Sequence, residues 1–167
     1  VTTMTTLKKV IPAALAAALV GGLFAGTQTA QAETLVFTAI PDQDESRLRT
    51  RFGKVATYLS KQIGVSVKYV PVKSYAAAVT AFRNDQVQLA WFGGLSGVRA
   101  RSLVKGSQAV AQGAEDVAFV TYFIAHASTK LDEQKSFPKA IAGKTFTFGS
   151  KGSTSGRLMP EIHIRQA

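Results

Sequence analysis

The chain has 167 residues, 46% of them hydrophobic, and a formal net charge of +10. This apolar fraction is too high for a disordered chain and is typical of a globular one. The absence of cysteine excludes a disulfide scaffold, a thiolate zinc site, a cysteine nucleophile and a lipid anchor carried on cysteine. His126 and His163 are the only histidines in the sequence, so we expect neither a multi-histidine metal centre nor a cofactor.

Residues 1–32 have the pattern of a secretory signal peptide. Lys8 and Lys9 precede an uncharged stretch at 10–26, and the segment ends in the small-x-small cleavage sequence Ala-Gln-Ala. The uncharged stretch is short for a membrane span and contains proline and glycine, which makes an anchor the less favoured interpretation. We therefore expect a periplasmic protein without a lipid anchor. In an exported protein, the excess of Lys and Arg over Asp and Glu indicates small anions or a membrane surface as the partner, and not nucleic acid.

A strand and a long helix are predicted first after residue 32. Leu35–Ile40 is an apolar run of strand length, and the turn at 41–44 offers a helix N-cap. Gly64 then ends a helix whose apolar side chains recur at spacings of three and four residues: Leu48, Phe52, Val55, Leu59 and Ile63. The basic side chains fall off this stripe and are interpreted as a solvated helix face: Arg47, Arg49, Arg51, Lys54 and Lys61.

The alternation of strands and helices continues as far as residue 111. Ser74 is the predicted N-cap of the second helix. The predicted elements are a strand at 65–72, a helix at 75–84, a strand at 87–93, a helix at 95–104 and a strand at 107–111. This order is typical of an open α/β sheet with parallel strands. Because ligands bind at the carboxyl ends of such strands, the candidate pocket loops are 41–46, 71–75 and 91–96.

The pattern changes beyond residue 111. The apolar run at 117–128 is longer than an ordinary strand, and we place a crossing between lobes near 119–125. A polar connection with one helical turn and a strand at 144–150 are predicted to follow. We assign 33–120 to a first lobe and 121–167 to a hinge crossing and the start of a second lobe. The second lobe would have too few residues for a core of its own, so we expect a truncated chain.

The small-residue loop at 149–157 is the main candidate for chemistry. It follows a predicted strand and opens a helix, so Ser153, Thr154 and Ser155 lie where backbone N–H groups lack helical partners. Hydroxyls and free amides at a positive helix end form a cradle for an oxyanion. Lys151 and Arg157 would add longer-range attraction. A simple helix cap is the alternative interpretation.

Two other classes of function stay open at this point. Gly152–Gly156 resembles the hydrolase elbow G-x-S-x-G, but its central residue is Thr154 and its base would have to be His163 in the same helix. An exported serine-type hydrolase is therefore one alternative. The other is a basic envelope-associated protein that uses the face from Arg47 to Lys61.

Three segments, at 40–48, 74–100 and 146–160, resemble the phosphonate-type substrate-binding proteins of ABC importers. The resemblance is strongest to the selenate-importer branch of that family. It implies an α/β type II periplasmic-binding-protein fold, in which two lobes with open mixed sheets close on a ligand, the second lobe being incomplete here. It further implies capture of a tetrahedral oxyanion of the phosphonate, phosphate, phosphite or selenate class. No catalysis is implied, and the partners would be a membrane permease and its ATPase.

The same resemblance implies which residues bind the ligand. The family's S-T-S-G motif is intact, and the tyrosine at the start of the second helix is present. The family's W-Y-G motif reads W-F-G here, and phenylalanine cannot donate a hydrogen bond. The implied ligand-binding residues are Tyr75, Trp91, Phe92, Gly93, Ser153, Thr154 and Ser155, with no catalytic or metal-binding residue among them.

Overall fold

The computed structural model describes residues 33–131 and 137–166. The predicted signal peptide lies outside these residues. Three strands form one parallel sheet in the order β2-β1-β3: Leu35–Ala39 (β1), Val67–Tyr69 (β2) and Leu89–Trp91 (β3). The predicted α/β class and parallel pairing are thereby confirmed, although β2 and β3 are shorter than the sequence indicates.

Four α-helices accompany the sheet in the described residues: Glu45–Ile63 (α1), Tyr75–Arg83 (α2), Gly94–Leu103 (α3) and Met159–Arg165 (α4). A π-helical turn, Thr154–Leu158, leads directly into α4. The first three helices begin within one residue of the predicted positions, because their caps are local sequence signals. The Asp44 carboxylate accepts a hydrogen bond from Arg47 N at 3.0 Å, and the Ser74 hydroxyl accepts one from Ala77 N at 3.0 Å.

The apolar stripe of α1 packs on one face of the sheet. Leu48 and Phe52 are buried against Phe37 and Ala39 of β1, and the rings of Phe37 and Phe52 meet edge to face at 5.8 Å between centroids. Side chains alternate along a strand, so Ile40, just after β1, points to the opposite face. There it packs with α2. Helices therefore cover both faces of the sheet.

The strand order fixes where a ligand crevice can form. The chain leaves β1 for the β2 side of the sheet through α1 and returns to the β3 side through α2. The order therefore reverses between β1 and β3, and a crevice opens outside the carboxyl ends of strands at such a switch point. The loops after β1 and β3 border it. They are joined where Ile40 N donates to Trp91 O at 3.0 Å.

Gly64 ends α1 in a left-handed conformation, with φ of 72°. No atom lies within 4 Å of a Cβ added there, so Gly64→Ala should lose about 1 kcal/mol of unfolding free energy through backbone strain alone. Gly53, inside α1, has equally open surroundings. There the same substitution should gain about 0.5–1 kcal/mol from helix propensity. Urea denaturation of the two variants should give shifts of opposite sign, and shifts of equal sign would contradict this account.

Two predicted strands, at 107–111 and 144–150, are wrong. Both segments are irregular in the structure. A strand needs a neighbour for its backbone N–H and C=O groups, and within the described residues neither segment pairs with β1, β2 or β3. Val110 illustrates the outcome, since 77% of its surface is exposed. The family resemblance implies a mixed sheet, whereas both strand pairs in the described residues are parallel.

The run at 117–128 is irregular as well, apart from short 3-10 turns at Ala114–Ala118 and Ala127–Thr129. Several of its large apolar side chains are exposed: Val117, Phe119, Val120, Tyr122 and Ile124. The predicted helical turn in the polar connection is confirmed at Lys139–Ile141. The described residues group as one compact unit, and the lobe boundary between 120 and 121 stays a prediction. In the described part of the chain, no helix is both long and apolar enough to cross a bilayer.

Candidate functional site

Two helix N-termini and the turn at 153–158 meet beside the switch point. α2 and α3 each begin just after a strand, so their N–H-rich ends lie at the carboxyl edge of the sheet. The turn packs against the start of α3 although it is about 60 residues further along the chain. Each of these ends carries partial positive charge, so together they form an environment suited to an anion.

The turn is shaped by its own cap. The Ser153 hydroxyl accepts a hydrogen bond from Gly156 N at 2.9 Å, and Gly149 N donates to Gly156 O at 2.7 Å. The two glycines are so close that a Cβ on Gly149 would lie 3.1 Å from the Gly156 Cα. The small residues of the loop therefore allow a tight fold-back. Capping and ligand binding are compatible here, because the cap holds the neighbouring hydroxyls in place.

Thr154 connects the turn to α3. Its hydroxyl oxygen accepts a hydrogen bond from Leu95 N at 2.8 Å. Gly94 permits this approach, since a Cβ there would lie 3.2 Å from the same oxygen. Because the oxygen accepts, the hydroxyl hydrogen remains able to donate, and the described residues place no acceptor against it. Thr154 can therefore present a donor to an anion at the start of α3.

Tyr75 lies beneath the turn at the first position of α2, with 9% of its surface exposed. A Cβ on Gly152 would lie 2.5 Å from the Tyr75 Cβ, so the loop packs directly on this residue. Burial raises the pKa of Tyr75, and a side-chain hydrogen bond with Ser153 partly opposes that rise. Tyr75 is consequently uncharged at neutral pH and keeps its phenolic hydrogen.

The three residues of the W-F-G segment lie in different environments. Trp91 packs near Phe52, at 6.3 Å between ring centroids, and 38% of its surface is exposed. Phe92 meets Phe82 edge to face at 5.7 Å and packs against the apolar group that contains Tyr75. Gly93 is the N-cap of α3, and its N–H donates to the buried Ser96 hydroxyl at 3.1 Å. Phe92 therefore places an apolar ring beside Tyr75, where a tyrosine would carry a hydroxyl.

The remaining polar residues of the loop differ in their exposure and in their partners. Ser155 is partly buried at the start of the turn and makes no side-chain hydrogen bond with another described residue. Lys151 is exposed. The Arg157 guanidinium lies 4.3 Å from the centre of the Phe148 ring and binds Glu161 at 2.7 Å. Its charge is thus compensated within its own helix, which argues against the predicted long-range attraction from Arg157.

The structure brings Tyr75, Gly93, Ser153 and Thr154 together and leaves Trp91 on the α1 side of the sheet. The sequence did not identify the Leu95 N–H, which carries no side-chain signal. Gly94 and Gly152 stand out in the sequence only as parts of a tight turn and of a hydrolase-like loop, and it is their lack of a Cβ that makes the packing possible. The glycine pair at 93–94, followed by a helix, is the one local pattern that indicates a close approach.

The hydrolase arrangement finds no support in this geometry. The His163 ring stacks on Phe137 at 5.7 Å between centroids, and His126 contacts the Ser128 hydroxyl in its own turn at 2.8 Å. Neither histidine hydrogen-bonds to a serine of the loop in the described residues. In the same residues no group of three or more His, Asp or Glu could hold a metal ion.

Comparison with known families identifies one model that matches residues 37–167, described as "ABC transporter, phosphonate, periplasmic substrate-binding protein". Among curated proteins, the probable ABC transporter phosphite binding protein PhnD1 of Prochlorococcus marinus is 41% identical over 155 residues. That alignment covers 92% of this chain and 52% of the relative. The phosphate-import protein PhnD of Mycolicibacterium smegmatis is 30% identical over 162 residues, which is 91% of this chain and 50% of the relative.

The solved structures include a relative with a bound ligand. PhnD1 from Prochlorococcus marinus in complex with methylphosphonate superposes with a TM-score of 0.65 and 39% identity, over 80% of this chain and 50% of that one. The chain thus spans about half the length of the curated relatives that it matches.

Proposed function

Because the chain belongs to the family of periplasmic phosphonate-binding proteins of ABC transporters, we propose that it captures a tetrahedral oxyanion at the Thr154–Leu95 junction. The observation that carries the proposal is the Thr154 hydroxyl, which lies 2.8 Å from the Leu95 N–H at the start of α3, in a loop that packs on the uncharged Tyr75. Neutral donors of this kind bind an anion through charge-assisted hydrogen bonds. Ligand-binding roles for Tyr75, Ser153, Thr154 and Ser155 are part of the proposal.

We propose further that the ligand carries one apolar substituent, as methylphosphonate or phosphite does. Phe92 supplies an aromatic wall and no donor beside Tyr75. A fourth oxygen placed against that wall would be buried without a partner, which costs about 1–3 kcal/mol. Sulfate and selenate present four oxygens and should therefore bind more weakly, in spite of the resemblance to selenate importers. The Prochlorococcus marinus relative, a probable phosphite binding protein, agrees with this class, whereas the Mycolicibacterium smegmatis relative, a phosphate-import protein, does not.

The same proposal includes export through residues 1–32, a periplasmic location, and delivery of the ligand to a membrane permease with its ATPase. Their support is the family match and the signal-like N-terminal sequence. The protein would act by binding alone. An anion that contacts both the turn and the start of α3 stabilises the arrangement that joins them, and such a shift between states is what a permease can recognise.

Titration calorimetry against a panel of anions tests the function. Methylphosphonate and phosphite should bind saturably, and at least about tenfold more tightly than phosphate, sulfate or selenate, which corresponds to about 1.4 kcal/mol for one unpartnered oxygen. Absence of binding to the whole panel would refute the oxyanion-binding function. Tightest binding of selenate would refute the role given to Phe92 but not the oxyanion-binding function. Phe92→Tyr restores a donor, so it should reduce the difference in affinity between methylphosphonate and the anions with four oxygens.

A further inference from the structure

We propose that the exposed face of α1 docks on the anionic lipid surface of a membrane. This face, here called the basic stripe, consists of Arg47, Arg51, Lys54, Tyr58 and Lys61. This surface lies on the side of α1 that faces away from the core. The proposal does not depend on which anion the binding site takes.

The spacing of the stripe places its side chains in one row. The intervals are four, three, four and three residues, which is the repeat that returns to the same side of an α-helix. All five residues are exposed, and Tyr58 has 63% of its surface in solvent. The core side chains Leu48 and Phe52 lie on another side of the helix. The row is therefore free of any packing role in the sheet.

The charge of the stripe is largely uncompensated. Glu45, at the start of α1, binds two cations outside the stripe: Arg49 at 2.7 Å and Lys73 at 2.6 Å. Asp44 pairs with Arg47 at 3.1 Å, at the end of the row. Within residues 33–131 and 137–166, no carboxylate lies within 4.0 Å of the charged groups of Arg51, Lys54 or Lys61. These three side chains therefore project net positive charge.

A shallow hollow of about 470 Å³ lies against the first half of the row. It is lined by three cations and three neutral hydrogen-bonding side chains: Arg47, Arg51, Lys54, Gln43, Ser46 and Thr50. This combination matches a phosphate group, which accepts hydrogen bonds from guanidinium, ammonium and hydroxyl donors. The hollow is open to solvent, so a phosphate carried on a larger body can reach it.

The length of the row favours a lipid surface over a free ion. From Arg47 to Lys61 the helix rises about 21 Å, far more than one phosphate group covers. A bilayer offers many phosphates in one plane, and each basic side chain near such a surface contributes about 1 kcal/mol. Tyr58, between Lys54 and Lys61 in the row, has the amphipathic ring that is enriched at the membrane interface. We therefore assign anionic phospholipid headgroups as the occupant.

Vesicle co-sedimentation tests the proposal. The chain should bind phosphatidylcholine vesicles that contain phosphatidylglycerol more strongly than phosphatidylcholine alone, and the neutral vesicles correct for any binding by residues 10–26. The double variant Arg51→Gln, Lys54→Gln should reduce this preference by about 30-fold, since two contributions of about 1 kcal/mol are lost. The preference should also weaken as salt is raised.

The matched control is Arg101→Gln with Lys105→Gln, which removes the same kinds of charge from an exposed region outside the stripe. It should lose much less of the preference. Equal losses in both variants would show that only net charge matters and would overturn the proposal, as would no preference of the unmodified chain for anionic vesicles. Binding to polyglutamate without that preference would instead assign the stripe to an acidic protein segment. Calorimetry with methylphosphonate measures binding at the Thr154 site and not at the basic stripe. A negative vesicle result can therefore be distinguished from a failure of the proposed function.

Discussion

Replacing Gly152 with alanine is expected to weaken methylphosphonate binding by about 100-fold, because overpacking of this kind costs up to about 3 kcal/mol. The added Cβ would lie 2.5 Å from the Tyr75 Cβ, which is fixed to the backbone of α2 and cannot rotate away. The loop would have to lift off the helix, and Thr154 would leave the start of α3 with it. Calorimetry measures the affinity directly.

The control for this variant is Gly53→Ala, in which the same methyl group enters open space inside α1. It should bind methylphosphonate as the unmodified protein does. Urea denaturation of both variants checks that Gly152→Ala still folds. Unchanged affinity in a folded Gly152→Ala protein would show that the contact between the loop and Tyr75 does not position the site.

Replacing Thr154 with valine should also reduce affinity by about 100-fold. Valine has nearly the same shape but can neither accept the hydrogen bond from Leu95 N nor donate one to an anion. A hydrogen bond to a charged group contributes about 1.5–3 kcal/mol, and the upper end applies because the Leu95 N–H also loses its partner. Titration with methylphosphonate measures the loss.

Two variants separate the hydroxyl from the other effects of this substitution. Thr154→Ser keeps the hydroxyl and should retain most of the affinity. Thr57→Val makes the same chemical change at an exposed position of α1 and should have no effect on binding. If Thr154→Ser binds as poorly as Thr154→Val, the methyl group and its packing would be responsible, and the hydrogen-bonding role proposed for Thr154 would be wrong.

Local signals predicted the elements around the site well. The spacing of Leu48 and Phe52 indicated the buried face of α1, and Asp44, Ser74 and Gly64 marked helix ends through side-chain and backbone chemistry that acts within one turn. Ser153 was recognised as a helix start for the same reason. These features need no knowledge of distant residues, so one sequence is sufficient to predict them.

Contacts between distant segments could not be predicted in this way. The bond between Thr154 and Leu95 joins residues 59 positions apart, and the Leu95 donor is a backbone group that every residue but proline possesses. The strand predicted at 107–111 failed for a related reason. Its composition suits a strand, but a strand exists only where a neighbour supplies the matching ladder, and the described residues supply none.

The donors gathered around Thr154 have a consequence for acidity. Backbone amides and aliphatic hydroxyls do not ionise in water near neutrality, and burial keeps Tyr75 uncharged, since its pKa lies above the ordinary value near 10. Ionisation of Tyr75 therefore leaves the stability of the fold unchanged below that ordinary pKa and lowers it only as pH rises from there through the shifted value. Across the pH range of natural waters these donors therefore keep a constant protonation state. A change in anion binding with pH within that range would not come from ionisation of these donors.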